Sequence, residues 1–150
     1  RNIITKMMGE RRIPISSETT LSFARQIREE KGKDFFAKEM IKSIKESSDW
    51  IIIVGIRGLY EVEVFKEAFG DENVILVAIH ASPKDRFARM RKRKRADDAY
   101  TYDRFLWIEE MELSYGLAKA IALADYMIVN DADLNTFREK AMKFIERVMK

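Results

Sequence analysis

The chain has 150 residues, with 28 Lys plus Arg against 25 Asp plus Glu, one histidine and no cysteine. Residues 84–95 hold eight of the basic side chains and one acid, so beneath a total of +3 the other 138 residues carry −4. That distribution excludes a uniformly basic protein that coats nucleic acid and describes a mildly acidic globule with one concentrated positive strip. Without cysteine there are no disulfides, thiol nucleophiles or thiolate metal sites, and His80 alone excludes a multi-histidine centre and argues against a Ser-His-Asp triad.

A hydrophobic fraction of 47% is ordinary for a folded domain. The length favours one domain spanning residues 1–150. No apolar run approaches the roughly 20 residues of a membrane span, and no signal peptide is visible, so the expected location is the cytoplasm. The chain begins at Arg1 rather than Met, which leaves an earlier segment as the expectation. Heavy Glu, Lys and Arg use fits a heat-adapted protein.

In chain order, the N-terminal third reads as helix. Leu21, Ala24 and Ile27 form one apolar stripe, Gly32 breaks it, and Phe36, Met40 and Ile44 form the next, flanked by Ala37 and Ile41. Three continuous apolar runs follow, at residues 50–54, 74–79 and 126–129. Continuous rather than alternating runs predict strands of a parallel sheet buried on both faces. Between them Leu59, Val62, Phe65 and Phe69 predict a helix closed by Gly70. Ser82-Pro83 supplies an N-cap and a first-turn proline. Asp103 is placed to cap a helix with a Trp107, Met111, Tyr115 stripe, and Asp133 precedes a last helix carrying Leu134, Phe137, Ala141, Phe144, Ile145 and Val148. Strands alternating with helices predict a layered α/β fold with right-handed crossovers.

Ligands of open α/β sheets bind beyond the carboxyl ends of the strands. After the first run comes Gly55-Ile56-Arg57-Gly58, in which Gly55 permits close backbone approach and Arg57 offers a cationic fork for phosphate or carboxylate. The plainer reading is a glycine turn with a surface arginine. His80 after the second run reads more readily as structural than as a ligand contact, and Asn130 and Asp131 after the third as a helix start. The strip from Arg86 to Arg95 has three readings: a phosphate-clamping lid, a nucleic-acid strip and a solvated helix end. It lacks the interleaved aromatics of a stacking platform.

Taken together, Gly55-Ile56-Arg57, Ile79-His80-Ala81-Ser82-Pro83, Arg95-Ala96-Asp97-Asp98 and residues 122–130, with Arg28-Glu29-Glu30-Lys31-Gly32 earlier, resemble the archaeal P-loop proteins similar to dephospho-CoA kinase. The resemblance covers essentially the whole chain. It implies a P-loop kinase fold of the nucleoside-monophosphate-kinase type, with a parallel sheet in the order 2-3-1-4-5, of which the three runs are the third, fourth and fifth strands. It also implies ATP as donor, with Mg²⁺ held mainly by the P-loop segment. Arg1 and Arg57 would face the acceptor phosphate, and Arg28 and Gly55 would be further nucleotide- or substrate-binding residues. Arg91, Arg93 and Arg95 with Asp97 and Asp98 would form the lid over the donor phosphates, and Asn130 would lie where the donor base rests.

Three departures accompany the resemblance. No Gly-x-x-x-x-Gly-Lys-Ser/Thr occurs, so the central first strand and P-loop are expected outside these 150 residues, or a strand from another chain, as in a homodimer, takes its place. Val54 stands where relatives carry an acid that helps hold Mg²⁺, and valine cannot bind a hard cation. Ile108 stands near the usual second lid arginine, leaving Arg104 one helical turn earlier as its candidate. The leading expectation is an ATP-binding, dephospho-CoA-kinase-like protein that transfers a phosphoryl group to a small nucleotide-like acceptor, with Arg57, Arg93 and Arg95 as catalytic groups. A catalytically degraded nucleotide-binding or switch protein is the second. The third is a nucleic-acid-interacting protein using the strip, which requires affinity that falls steeply with salt.

Overall fold

The computed structural model describes residues 2–44, 50–93 and 101–149. Its order is α1 (Asn2–Glu10), α2 (Ser17–Lys31), α3 (Phe35–Ile41), α4 (Leu59–Phe69), β1 (Val77–His80), α5 (Pro83–Arg93), α6 (Tyr102–Glu112), α7 (Ala118–Ala122), β2 (Tyr126–Val129) and α8 (Leu134–Val148). The protein is α/β, mostly helical, with one small parallel sheet in which β1 pairs with β2 in the register Val77 to Tyr126 through His80 to Val129. Among the described residues no helix is long and apolar enough to cross a membrane.

The core lies among the first three helices. Met8, Phe23, Ala24, Ile27 and Phe36 are buried together, with Ile3, Ile4, Met7, Ile13 and Phe35 packed around them. Met8 and Ile27 are fully buried, each stabilising the fold by about 1.5–3 kcal/mol. The α2 helix begins at a reciprocal cap: the Ser16 hydroxyl accepts from Thr19 N–H at 3.1 Å, and Ser16 N–H donates to the Thr19 hydroxyl at 2.9 Å. The predicted α4 stripe forms as expected, burying Val62 and Phe65 and ending at Gly70. The Ser82 hydroxyl accepts from Asp85 N–H at 3.2 Å at the start of α5, and Asp133 accepts from Asn135 and Thr136 N–H at the start of α8.

Other expectations are corrected. Residues 50–54 form neither strand nor helix, and the sheet has two strands among the described residues rather than three. A strand needs a neighbour for its N–H and C=O groups. None of the described strands pairs with this run, and Ile52 and Val54 stand 80% and 77% exposed. The second run is strand only from Val77. Burial on both faces is not found either, since Ile79, Tyr126, Met127 and Val129 are exposed. Thr101, not Asp103, caps α6, and its buried residue is Phe105, while Trp107 is exposed. Phe105 belongs to a ring cluster with Phe87 and Tyr102 that joins α5 to α6. Leu134 is exposed at the α8 start.

Candidate functional site

The turn Gly55-Ile56-Arg57-Gly58 carries the run at 50–54 into α4. Gly55 has φ +95°, a backbone geometry that side-chain-bearing residues adopt only with strain. Gly58 at the α4 N-cap has no side chain with which to satisfy an N–H. Glu61, in the first turn, does this from inside the helix: its Oε2 accepts from Arg57 N–H at 2.6 Å. Glu61 is only 4% exposed, and a carboxylate that deep requires a cation. Arg28 of α2 provides it, with Nη2 3.6 Å from Glu61 Oε1. The Arg28 guanidinium also lies over the rings of Phe36 and Tyr115, at 5.0 and 5.8 Å from their centroids.

The network continues outward. Arg57 donates from Nη1 to its neighbour Ile56 C=O at 3.2 Å, and its Nε lies against Glu112 Oε2 of α6. Side-chain exposure rises along the series, from 10% at Arg28 to 20% at Glu112 and 35% at Arg57. Burial pushes the Glu112 carboxyl above its ordinary range, aided by the charges of Glu109 and Glu61 and opposed by Arg57 and Arg28. Burial likewise raises Tyr60, whose hydroxyl donates to Tyr115 C=O at 3.4 Å. Glu112 leads directly into a π-turn, Leu113–Leu117, which is a kink between two helices at Gly116, whose φ is +112°. A Cβ on Gly116 would sit 3.6 Å from both Arg57 C=O and Gly58 Cα, so helix and turn meet backbone to backbone. A cavity of about 50 Å³ opens beside the network, lined by Arg28, Glu61, Phe36, Val54, Gly55 and Ile56 among others. Arg28 Nε is buried without a hydrogen-bond partner among the described residues, and the buried Glu112 Oε2 has the Arg57 ion pair as its contact.

The structure thus joins Arg28, Arg57 and Gly55 at one place, and it divides the basic strip. Arg86 donates to Ala81 C=O and pairs with Glu109. Arg89 spans the loop after β2, donating to Asn130 C=O and Ala132 C=O at 3.1 Å each. Both are structural ties rather than open anion donors. Arg91, Lys92 and Arg93 are exposed at the end of α5, with Arg91 5.9 Å from the centroid of the Phe87 ring. Asn130 N–H donates to His80 C=O at 2.7 Å, extending the parallel pairing, while Lys140 holds Asp131 at 2.7 Å. Arg104 pairs with Glu18 at 3.1 Å and lies 4.1 Å from the centroid of the Trp107 ring. Arg1, Arg95, Asp97 and Asp98 lie outside the described residues.

Sequence reasoning missed Glu61, Glu112, Tyr60 and Tyr115. A signal existed for Glu61, which falls three residues after a glycine N-cap and can answer the preceding N–H. None existed for Glu112, 55 residues from Arg57. No group of three or more His, Asp or Glu side chains that could hold a metal ion occurs among the described residues. What the site offers is two fixed guanidinium groups, one buried and one half-open, suited to a planar or tetrahedral anion.

No family model matches the chain. It is 38% identical over 150 residues to a UPF0200 protein of Thermococcus sibiricus, spanning 98% of this chain and 79% of that relative. A UPF0200 protein of Staphylothermus marinus is 38% identical over 135 residues, 90% of this chain and 70% of the relative. One of Pyrococcus furiosus is 35% identical over 138 residues, 90% of this chain and 74% of the relative. Identity of this order across nearly its whole length means that the chain belongs to the UPF0200 family.

Proposed function

We propose that the protein is a nucleotide-binding phosphotransferase resembling dephospho-CoA kinase, which moves the γ-phosphoryl group of ATP to a small nucleotide-like acceptor. The observation that carries this reading is the convergence of Arg28 and Arg57 in one ion network at the Gly55 turn. In it Arg57 binds the acceptor phosphate, and Arg28, through Glu61, fixes the turn that presents Arg57. Arg91 and Arg93 at the exposed end of α5 bind the donor phosphates in this reading. Catalysis in such a site is positioning and charge neutralisation.

In this reading the P-loop and its strand come from residues other than these 150, which do not carry the motif. The apolar exposure of Ile52, Val54 and Ile79 leaves surface for such a strand to cover. The described residues at this site do not fit Mg²⁺: the Val54 side chain has no oxygen donor, and Glu61 and Glu112 are committed to arginines. That same mismatch favours a second reading, a nucleotide-binding or switch protein that has lost turnover. Arg57→Ala is the test on the full-length protein. Acceptor use falls while ATP binding, read by titration, stays within about twofold; equal loss of both rejects the assignment. Turnover gained by Val54→Asp supports the second reading.

A further inference from the structure

We propose that Glu112 is an internal stand-in for the ligand's anionic group, occupying Arg57 when the site is empty and leaving it, protonated, when an anion binds. The inference rests on the reading of Arg57 as an anion-binding residue and adds what sets that residue's affinity.

Arg57 Nε is held by Glu112, Nη1 by Ile56 C=O, and the backbone N–H by Glu61. The Arg57 side chain is 35% exposed, so a phosphate-like anion can approach it from solvent, and with Nη1 on Ile56 C=O a bidentate grip requires the edge that Glu112 touches. Two anions on one half-buried guanidinium repel each other. The groups facing Glu112 are Arg57 from the turn, Arg28 from α2, Glu61 from α4 and Glu109 from its own helix. Glu61 already claims Arg28. Once the incoming anion takes Arg57, Glu112 is left in a mostly buried place with Glu61 and Glu109 as neighbours, and it takes a proton from solvent. Its burial already disfavours the charged form.

Glu112 thereby makes anion affinity dependent on pH and keeps Arg57 paired in the empty protein. Arg57 would otherwise present an unmatched cation next to buried Arg28. Gly116, four residues after Glu112, lies against the Arg57 turn, where a Cβ would sit 3.6 Å from Arg57 C=O, so the end of α6 and the turn are neighbours in the fold.

The test is isothermal titration with sulfate, a dianion that does not itself titrate between pH 5 and 9, at constant ionic strength in buffers of different ionisation enthalpy. The wild-type protein takes up about one proton per sulfate bound at Arg57, and its affinity rises as pH falls. Glu112→Gln abolishes the uptake and binds sulfate about fivefold more tightly at neutral pH. Arg57→Ala binds weakly and without uptake. The wild-type proton count and pH profile stand even if Glu112→Gln folds poorly by circular dichroism. Sulfate binding that depends on Arg57 but brings no proton uptake, or a folded Glu112→Gln that binds no more tightly, overturns the role of Glu112 while leaving the anion site intact. Wild-type binding that is indifferent to Arg57→Ala overturns the anion site and this role with it.

Discussion

Glu61→Ala probes the centre of the network. The substitution leaves Arg28, whose side chain is 10% exposed, without its carboxylate, and leaves Arg57 N–H without its acceptor at 2.6 Å. Removing one partner of a buried ion pair costs about 3–5 kcal/mol, because the other charge stays buried and uncompensated. The 3.6 Å separation and the two rings under Arg28 favour the lower end, about 3 kcal/mol. For a chain of this size that corresponds to a fall in Tm of about 10 °C. Urea unfolding followed by circular dichroism reads the change as a shifted midpoint at constant slope. Glu61→Gln keeps an acceptor for Arg57 N–H and should lose less. Arg28→Met removes the stranded charge, so Arg28→Met/Glu61→Ala should be less destabilised than the sum of the two single variants. A loss below about 1 kcal/mol in Glu61→Ala, or strict additivity in the pair, would refute the coupling.

Two further outcomes follow from the same geometry. Gly116→Ala forces a Cβ onto a residue at φ +112° against the Arg57 turn. It should lower stability by about 1–2 kcal/mol in the same urea assay, and an unchanged midpoint would show that the π-turn relaxes freely. Glu112 has a folded pKa raised above its unfolded value, so the stability it contributes is fully present below about pH 4 and is lost as pH rises through its folded value. Glu112→Gln should therefore flatten the decline between acid and neutral pH. Asp34, Asp131 and Asp133 act with the opposite sign, since their hydrogen bonds lower their pKa values and their contribution disappears as pH falls through those values. A Glu112→Gln profile parallel to wild type would refute the assignment.

Elements set by local chemistry were readable in advance. Gly70, Ser82-Pro83 and Asp133 mark helix ends by capping groups that act within a few residues, and α4, α5 and α8 begin or end where those signals stand. The run at 50–54 was not, because pairing is decided by a neighbour rather than by the run itself. Its composition is the same whether a partner strand is beside it or not. The site divides in the same way. Arg57 and Gly55 could be picked out by their place after an apolar run, but nothing local to residue 112 indicates that it will meet Arg57. The strip at 84–95 looked uniform in charge, yet the spacing of Arg86 and Arg89 turns them toward Glu109 and the loop after β2, leaving three cations exposed at the helix end.

The π-turn between α6 and α7 has a consequence for how this region tolerates change in length. Each residue of an α-helix turns about 100° about the axis, and Gly116 interrupts that winding at a kink between two helices. Deleting one residue among 113–117 would therefore turn α7 relative to α6, so that Ala120, buried on α7, would point elsewhere and Gly116 would no longer lie against the backbone of the arginine turn. A change of length there would leave each helix its own hydrogen bonds and break the contact with the site.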